Sequence, residues 1–253
     1  MTFAQYPSLK GRAVFITGGA TGIGAELVRA FVEQGAIVTF IDILSTEGER
    51  LSEDLAVASI RPTFQSVDVT DVAQLQASIR RAIQQHGRLD VLINNVADDS
   101  RHTPLEVSET SWRKCLAINL DSAFFAAQAA IPVMQSQGGG VILNLSSINA
   151  LFGPIDMPGY VAAKAALLGL TKSLARQYGG DLIRVNAILP GWVVTQRQLD
   201  HWLTKEAEIK WSELVAIKER ILPADVARLT LFLAADDSQR ITAQSFIIDA
   251  GRV

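Results

Sequence analysis

Seven short apolar runs rich in β-branched residues punctuate the chain, at positions 13–17, 36–42, 63–67, 89–94, 140–146, 184–189 and 245–249. Runs of this length, bounded by turn residues, read as strands buried on both faces. The stretches between them follow a different period. Ile23, Leu27 and Phe31 recur every four residues and stop at Gly35, a residue suited to the positive φ that closes a helix. Asp71 and Val72 open a second such face, continued by Leu75, Ile79 and Ile83 and ended by Gly87, and longer helical patterns run over about 111–137 and 159–178. Strands alternating with helices predict an α/β fold: a doubly wound parallel sheet of about seven strands with helices on both faces. No linker, charge block or internal repeat divides residues 1–253, so a single domain is expected.

In such sheets ligands bind beyond the carboxyl ends of the strands, so the residues after each apolar run carry the chemistry. The first run leads through Thr17, Gly18, Gly19, Ala20, Thr21, Gly22, Ile23 and Gly24 directly into a helix. Glycines are needed there for a sharp turn, for close approach to a pyrophosphate and for packing of helix on strand, while N–H groups at the helix start, near Ile23, meet the phosphate charge. The spacing Gly18, Gly22, Gly24 is wider than G-x-G-x-x-G, but its place between strand and helix predicts a Rossmann-type dinucleotide site. Asp42 ends the second strand, where a carboxylate accepts from ribose hydroxyls and repels a 2′-phosphate. No Arg or Lys near the loop or in residues 43–46 reverses that preference, so NAD is expected rather than NADP. Asp68 and Val69 follow the third strand; Asp68 is placed to meet the adenine amino group, and one of the acids in this stretch should cap the next helix.

Composition narrows the classes without changing this picture. The chain of 253 residues is 49% hydrophobic and 19% charged, which excludes disordered and disulfide-scaffold classes. Its net charge of −3 supplies no field to hold a nucleic acid. The single cysteine, Cys115, lies in an apolar helical pattern and is read as core. No basic segment followed by an apolar stretch opens the sequence, and no window approaches eighteen uninterrupted apolar residues; a soluble, cytoplasmic protein with no membrane partner is expected. His86, His102 and His201 show no metal-ligand spacing, so no metal is expected.

Tyr160 and Lys164 are four residues apart at the start of a helical pattern and so share one face. A tyrosine titrates ordinarily near pH 10, and a neighbouring ammonium favours the phenolate. A downward shift of about 3 units, equivalent to roughly 4 kcal/mol, is expected from the lysine together with the positive charge of an oxidised nicotinamide.

With this pair in view, the chain resembles the short-chain dehydrogenase/reductase family from about residue 9 to residue 251. The resemblance rests on the loop 17–24, Asp68-Val69, Asn94-Asn95, Asn119, Ser147, Tyr160 with Lys164, Asn186, Pro190-Gly191 with Thr195, and the ending Asp249-Ala250-Gly251. It implies that Tyr160 exchanges a proton with the substrate oxygen, that Lys164 also bonds the nicotinamide ribose, and that Ser147 orients the reacting oxygen. It implies too that Asn119 holds a water linking Lys164 to solvent, that Asn95 borders the cofactor, and that the backbone at Val193 with the Thr195 hydroxyl holds the carboxamide. A homotetramer is likewise implied. Two positions depart from the family pattern: Val96-Ala97 follows the asparagines where Ala-Gly is usual, and Ala243 replaces a glycine before the last strand.

Two segments should line the substrate side. Residues 97–102 bring Asp98, Asp99, Ser100, Arg101 and His102, and residues 191–222 bring Gln196 and its neighbours and should cover the ligand. A lining with Asp99, Arg101, His102 and Gln196 suits a polyhydroxylated small molecule, since every buried hydroxyl needs a partner. The pieces Tyr6-Pro7-Ser8-Leu9-Lys10-Gly11, the acidic run ending Arg101-His102, and Thr195-Gln196-Arg197-Gln198 are similar to those of the family's bacterial NAD-dependent aldose dehydrogenases. That resemblance implies oxidation of an anomeric carbon to a lactone. The competing enzyme reading is an NAD(P)H-dependent carbonyl or 3-oxoacyl reductase, disfavoured by Asp42. A non-catalytic NAD(H)-binding protein would have no use for the Asn119, Ser147, Tyr160 and Lys164 set.

Overall fold

The computed structural model describes residues 3–56 and 60–253, with the side chain of His201 also outside the description. Its strands are β1 (Ala13–Thr17), β2 (Ile37–Asp42), β3 (Thr63–Ser66), β4 (Val91–Asn94), β5 (Gly140–Leu145), β6 (Ile183–Pro190) and β7 (Ser245–Ile248). They form one parallel sheet in the order β3-β2-β1-β4-β5-β6-β7. The helices in chain order are α1 (Gly22–Glu33), α2 (Ser45–Asp54), α3 (Val72–His86), α4 (Glu109–Leu116), α5 (Ser122–Ser136), α6 (Asn149–Phe152), α7 (Pro158–Tyr178), α8 (Gln196–His201), α9 (Lys205–Leu214) and α10 (Pro223–Ala234).

The strand pattern divides the core in two, because successive side chains of a strand point to opposite faces. Val14 and Ile16 of β1 pack with Leu27 and Phe31 of α1 and Val226 and Leu231 of α10. Phe15, between them, joins Leu75 and Ile79 of α3 and Ala126, Ala130 and Met134 of α5 on the other face. Strands lying between two such layers are apolar throughout, and β1 and β4 are buried at every position. The order of the strands reverses between β1 and β4, which opens a crevice above their carboxyl ends.

Local signals settle most boundaries. Asp71 caps α3 by accepting from the Gln74 N–H at 3.0 Å, and Gly87 ends that helix in the left-handed conformation at φ +70°. Asp68 instead folds onto Thr70, accepting from its N–H and its hydroxyl at 2.9 and 2.8 Å. Ala97 keeps an ordinary backbone, whereas Ala243 takes φ +61°, a conformation that strains any residue with a Cβ by about 1 kcal/mol.

The expected helix over 111–137 is longer and less regular than its pattern. Residues 109–136 form one continuous 28-residue helix, in which α4 and α5 are joined by a π turn at Ala117–Asp121. It is long and apolar enough to cross a membrane, with mean hydropathy 1.4, but its apolar residues from Ala126 to Met134 are buried against the sheet. The expected covering segment forms α8 and α9, and is closed at its base by a bridge between Val193 and Ile221.

Candidate active site

The glycine loop is shaped by contacts that only hydrogen can make. A Cβ on Gly24 would lie 1.8 Å from the Gly18 carbonyl oxygen, and one on Gly18, at φ +66°, would lie 2.9 Å from the Val96 Cα. The loop is tied down from both sides. The Asn95 amide donates to the Thr17 and Gly18 carbonyls at 3.0 and 2.8 Å, while Asp42 accepts from the Ala20 N–H at 3.0 Å and the Leu44 N–H at 3.1 Å. Asn95 therefore acts in the protein as a staple between β1 and β4.

Above the crevice lies a cavity of about 930 Å³. Gly18, Gly22, Ile23 and Gly24 border it, with Asp42, Asp68 and Val69 along one flank and Asn95, Val193 and Thr195 along another. Ser147, Tyr160 and Lys164 stand in the same lining. Thr195 caps α8, and its methyl closes over Gly22, where an added Cβ would come within 3.3 Å. A nicotinamide dinucleotide fits this set: a glycine cradle at a helix start for the pyrophosphate, carboxylates at the ends of β2 and β3 for the adenosine, and Thr195 opposite them.

Ser147, Tyr160 and Lys164 come from two adjoining elements, the end of β5 and the first turns of α7. The Ser147 hydroxyl favours ionisation of the Tyr160 phenol, and its Oγ accepts from the Asn149 N–H at 3.1 Å. Ser146 is committed elsewhere, donating to the Lys164 carbonyl at 2.7 Å. Lys164 is 2% exposed; its Nζ donates to the Leu145 carbonyl at 2.7 Å and lies 5.6 Å from the centre of the Tyr160 ring.

Burial outweighs attraction in this pair. In the protein alone the Tyr160 phenol is pushed up to about 12 by burial, against the pull of the Ser147 hydrogen bond. Lys164 is driven down to about 8 by the same loss of water, against the charges of Cys115 and Asp99. In the protein alone the tyrosine therefore lies above its ordinary value; the lowering expected from the sequence also counts the positive charge of an oxidised nicotinamide. Lys164, itself partly deprotonated by burial and engaged by a carbonyl, does not by itself offset the desolvation of the phenol.

Asn119 sits in the π turn, 2% exposed, and does not border the cavity. Its amide donates to the carbonyls of Asp98 and Cys115 at 3.0 and 2.9 Å, and its Oδ1 accepts from the Asp98 N–H at 3.0 Å. It locks the loop after β4 to the long helix.

The substrate end of the cavity is polar. Asp98, Asp99, Ser100 and Arg101 line one wall, and Gln196, Arg197 and Gln198 of α8 face them. The walls are linked, since Arg197 pairs with Asp99 at 2.9 Å and with Asp98 at 3.6 Å, and Arg101 stacks on Trp202 at 4.7 Å. His102 turns away from the lining; its Nε2 faces the Gly159 N–H at 3.4 Å, at the start of α7. Trp192, Phe152 and Arg252 also border the cavity and were not singled out from the sequence. Arg252 stacks on Phe152 at 4.7 Å, a contact between residues too far apart for any local pattern to signal.

Known proteins are similar to this chain over nearly its whole length. A family model described as enoyl-(acyl carrier protein) reductase matches residues 18–252. A probable galactose dehydrogenase, GalD, of Rhizobium meliloti is 45% identical over 98% of this chain and 97% of its own length. The D-xylose 1-dehydrogenase of Caulobacter vibrioides is 40% identical over 99% of each chain. A 7α-hydroxysteroid dehydrogenase, solved with NADH and 7-oxo glycochenodeoxycholic acid, superposes with a TM-score of 0.94 at 29% identity, covering 100% of this chain and 98% of that one. Glycine cradle, cavity and Ser147, Tyr160 and Lys164 on a seven-stranded parallel sheet, together with these matches over nearly the whole length, place the chain in the short-chain dehydrogenase/reductase family, as an oxidoreductase acting on CH–OH groups with a nicotinamide cofactor.

Proposed function

We propose that this protein is an NAD-dependent aldose 1-dehydrogenase, a cytoplasmic homotetramer that oxidises the anomeric carbon of a sugar to the lactone. The observation that carries the substrate class is the polar cavity end next to Tyr160, where Asp98, Asp99, Ser100, Arg101 and Gln196 provide both donors and acceptors. A ligand with many hydroxyls can bond to these groups, whereas an acyl chain or steroid would cover them and cost about 1–3 kcal/mol for each one buried without a partner. The dehydrogenases of galactose and xylose among its relatives support the same reading.

When bound, the oxidised nicotinamide supplies the hydride acceptor. The residues do the rest. Ser147 would hold the anomeric oxygen beside Tyr160, and Tyr160, in its ionised form, would take the hydroxyl proton as the carbonyl forms. Lys164 stands behind the phenol and moves the proton on, its ammonium poised by burial near the working pH. Asn119 is a positioning residue that fixes the loop carrying Asp98 and Asp99. NAD is favoured over NADP because Asp42, at the end of β2 and bordering the cavity, is a carboxylate that would accept from ribose hydroxyls and repel a 2′-phosphate.

The test is NAD reduction with an aldose panel that includes D-galactose and D-xylose, run beside a panel of ketones with NADH and NADPH. Oxidation of at least one aldose with NAD is expected; reduction of ketones with no aldose oxidised would reject the assignment. Asp42→Ala should narrow the NAD over NADP preference at least tenfold, since a charged hydrogen bond is worth about 1.5–3 kcal/mol. An unchanged ratio would remove Asp42 from cofactor choice.

A further inference from the structure

We propose that Trp192 is the platform on which the C–H face of the sugar ring rests during oxidation. This deepens the aldose reading and rests on it. Trp192 follows the Pro190-Gly191 end of β6 and borders the same cavity as Ser147 and Tyr160, half-buried among polar neighbours. Its position is fixed at both ends. The Gly191 N–H donates to the Ile248 carbonyl at 2.8 Å on one side, and Val193 bridges to Ile221 on the other.

The indole N–H is already used, donating to the Gln198 Oε1 at 2.6 Å. Gln198 in turn reaches the Asp99 carboxylate at 3.4 Å, and Arg197 holds that carboxylate at 2.9 Å. A ring tethered in this way has no polar handle left to offer a ligand; what remains to it is its face. Aromatic faces are electron-rich. The C–H bonds of a pyranose or furanose ring gather on one face and carry the complementary partial charge, while its hydroxyls project from the rim. The cavity end holds residues for both halves of that pattern, an aromatic ring in Trp192 and polar groups in Asp99, Arg101 and Gln196. The chain from Arg197 through Asp99 and Gln198 to Trp192 also couples the acidic loop to the orientation of the platform.

The experiment compares wild type, Trp192→Leu and Trp192→Phe with whichever aldose the wild type oxidises. Leucine keeps bulk and loses the aromatic face, so KM for the aldose should rise about tenfold while kcat stays within about threefold. NAD affinity should be unchanged, and phenylalanine should recover most of the loss. A second measurement reads the contact directly. In a Tyr160→Phe background, which stalls turnover, adding the aldose to the NAD complex should shift tryptophan emission, and the shift should vanish when Trp192→Phe is added. Trp112, Trp202 and Trp211 remain in that variant as internal controls. An unchanged KM in Trp192→Leu, or an emission shift that survives Trp192→Phe, would overturn the platform while leaving the aldose reading intact. If Trp192→Leu fails to fold, the emission measurement decides. If the wild type oxidises no aldose at all, both readings fall.

Discussion

At the scale of single residues, the chemistry turns on one phenol and one ammonium that share a dry pocket. Tyr160→Phe removes the proton acceptor and leaves the ring in place, so turnover should fall by at least about 10²-fold, with NAD binding retained, as measured by steady-state kinetics and a fluorescence titration. Activity within tenfold of wild type would remove the proposed mechanism. Lys164 carries a separate signature in stability. Its unfolded value is 10.5 and its folded value about 8, so between those limits the unfolded chain holds more protons and stability rises with pH. Urea unfolding should show wild type gaining about 2 kcal/mol on Lys164→Met between pH 8 and 9.5. Tyr160 acts in the opposite sense: raised from 10 to about 12, it withdraws stability as pH climbs from 10 to 12. A flat difference between the two proteins below pH 9.5 would show that Lys164 is not buried as described. The pair itself was legible in the sequence, because four-residue spacing on a helix is local. The direction of its titration was not, since it depends on how completely β5 and the loop after β4 exclude water, and burial is set by residues distant in the chain.

At the scale of elements, the strands were the most readable, since a parallel strand covered on both faces must be apolar at nearly every position, as β1 and β4 are. The long helix was readable in extent and misleading in detail. Its apolar pattern runs through residues 117–121 without a break, and what sets the π turn apart is a polar side chain satisfied from outside the helix. Asn119 meets both the N–H and the carbonyl of Asp98 and also the Cys115 carbonyl, tying the loop after β4 to the helix through three main-chain groups. Asn119→Ala should therefore lower stability by about 2–4 kcal/mol in denaturant melts, at about 1–3 kcal/mol for each stranded group after partial relaxation. It should also raise KM for the sugar, because the loop bearing Asp98 and Asp99 loses its anchor, while NAD affinity, which depends on the opposite flank of the cavity, should hold. A variant as stable as wild type would mean that solvent replaces those bonds without cost. The covering segment was anticipated as a unit, but not its internal order. The Val193 bridge to Ile221 and the Arg220 stack on Trp211 at 5.3 Å link positions with no shared periodicity.

At the scale of the whole molecule, the proposed tetramer needs two contact faces, and two exposed stripes are candidates for them. Ala162, Ala165, Ala166 and Gly169 of α7 are exposed and small, and Phe124 of α5 is 41% exposed. Small residues let helices approach closely, so a second copy related by a two-fold axis can lay the same stripe against this one, each helix meeting its equivalent. The second face is at the far edge of the sheet. There β7 has a neighbour only on its β6 side, Ile247 is 46% exposed, and the chain ends at Val253, 53% exposed. An open parallel edge with an exposed isoleucine invites pairing or coverage. Two independent two-fold contacts generate a tetramer, so light scattering should return four times the 27.4 kDa chain mass. Ala166→Arg, which places a charge in the middle of the first stripe, should reduce the mass to that of the dimer held by the β7 edge. A monomer for the wild type would reject the assembly. A tetramer indifferent to Ala166→Arg would move the first interface away from α7, leaving the exposed stripe of small residues to be explained by packing that does not involve a second copy.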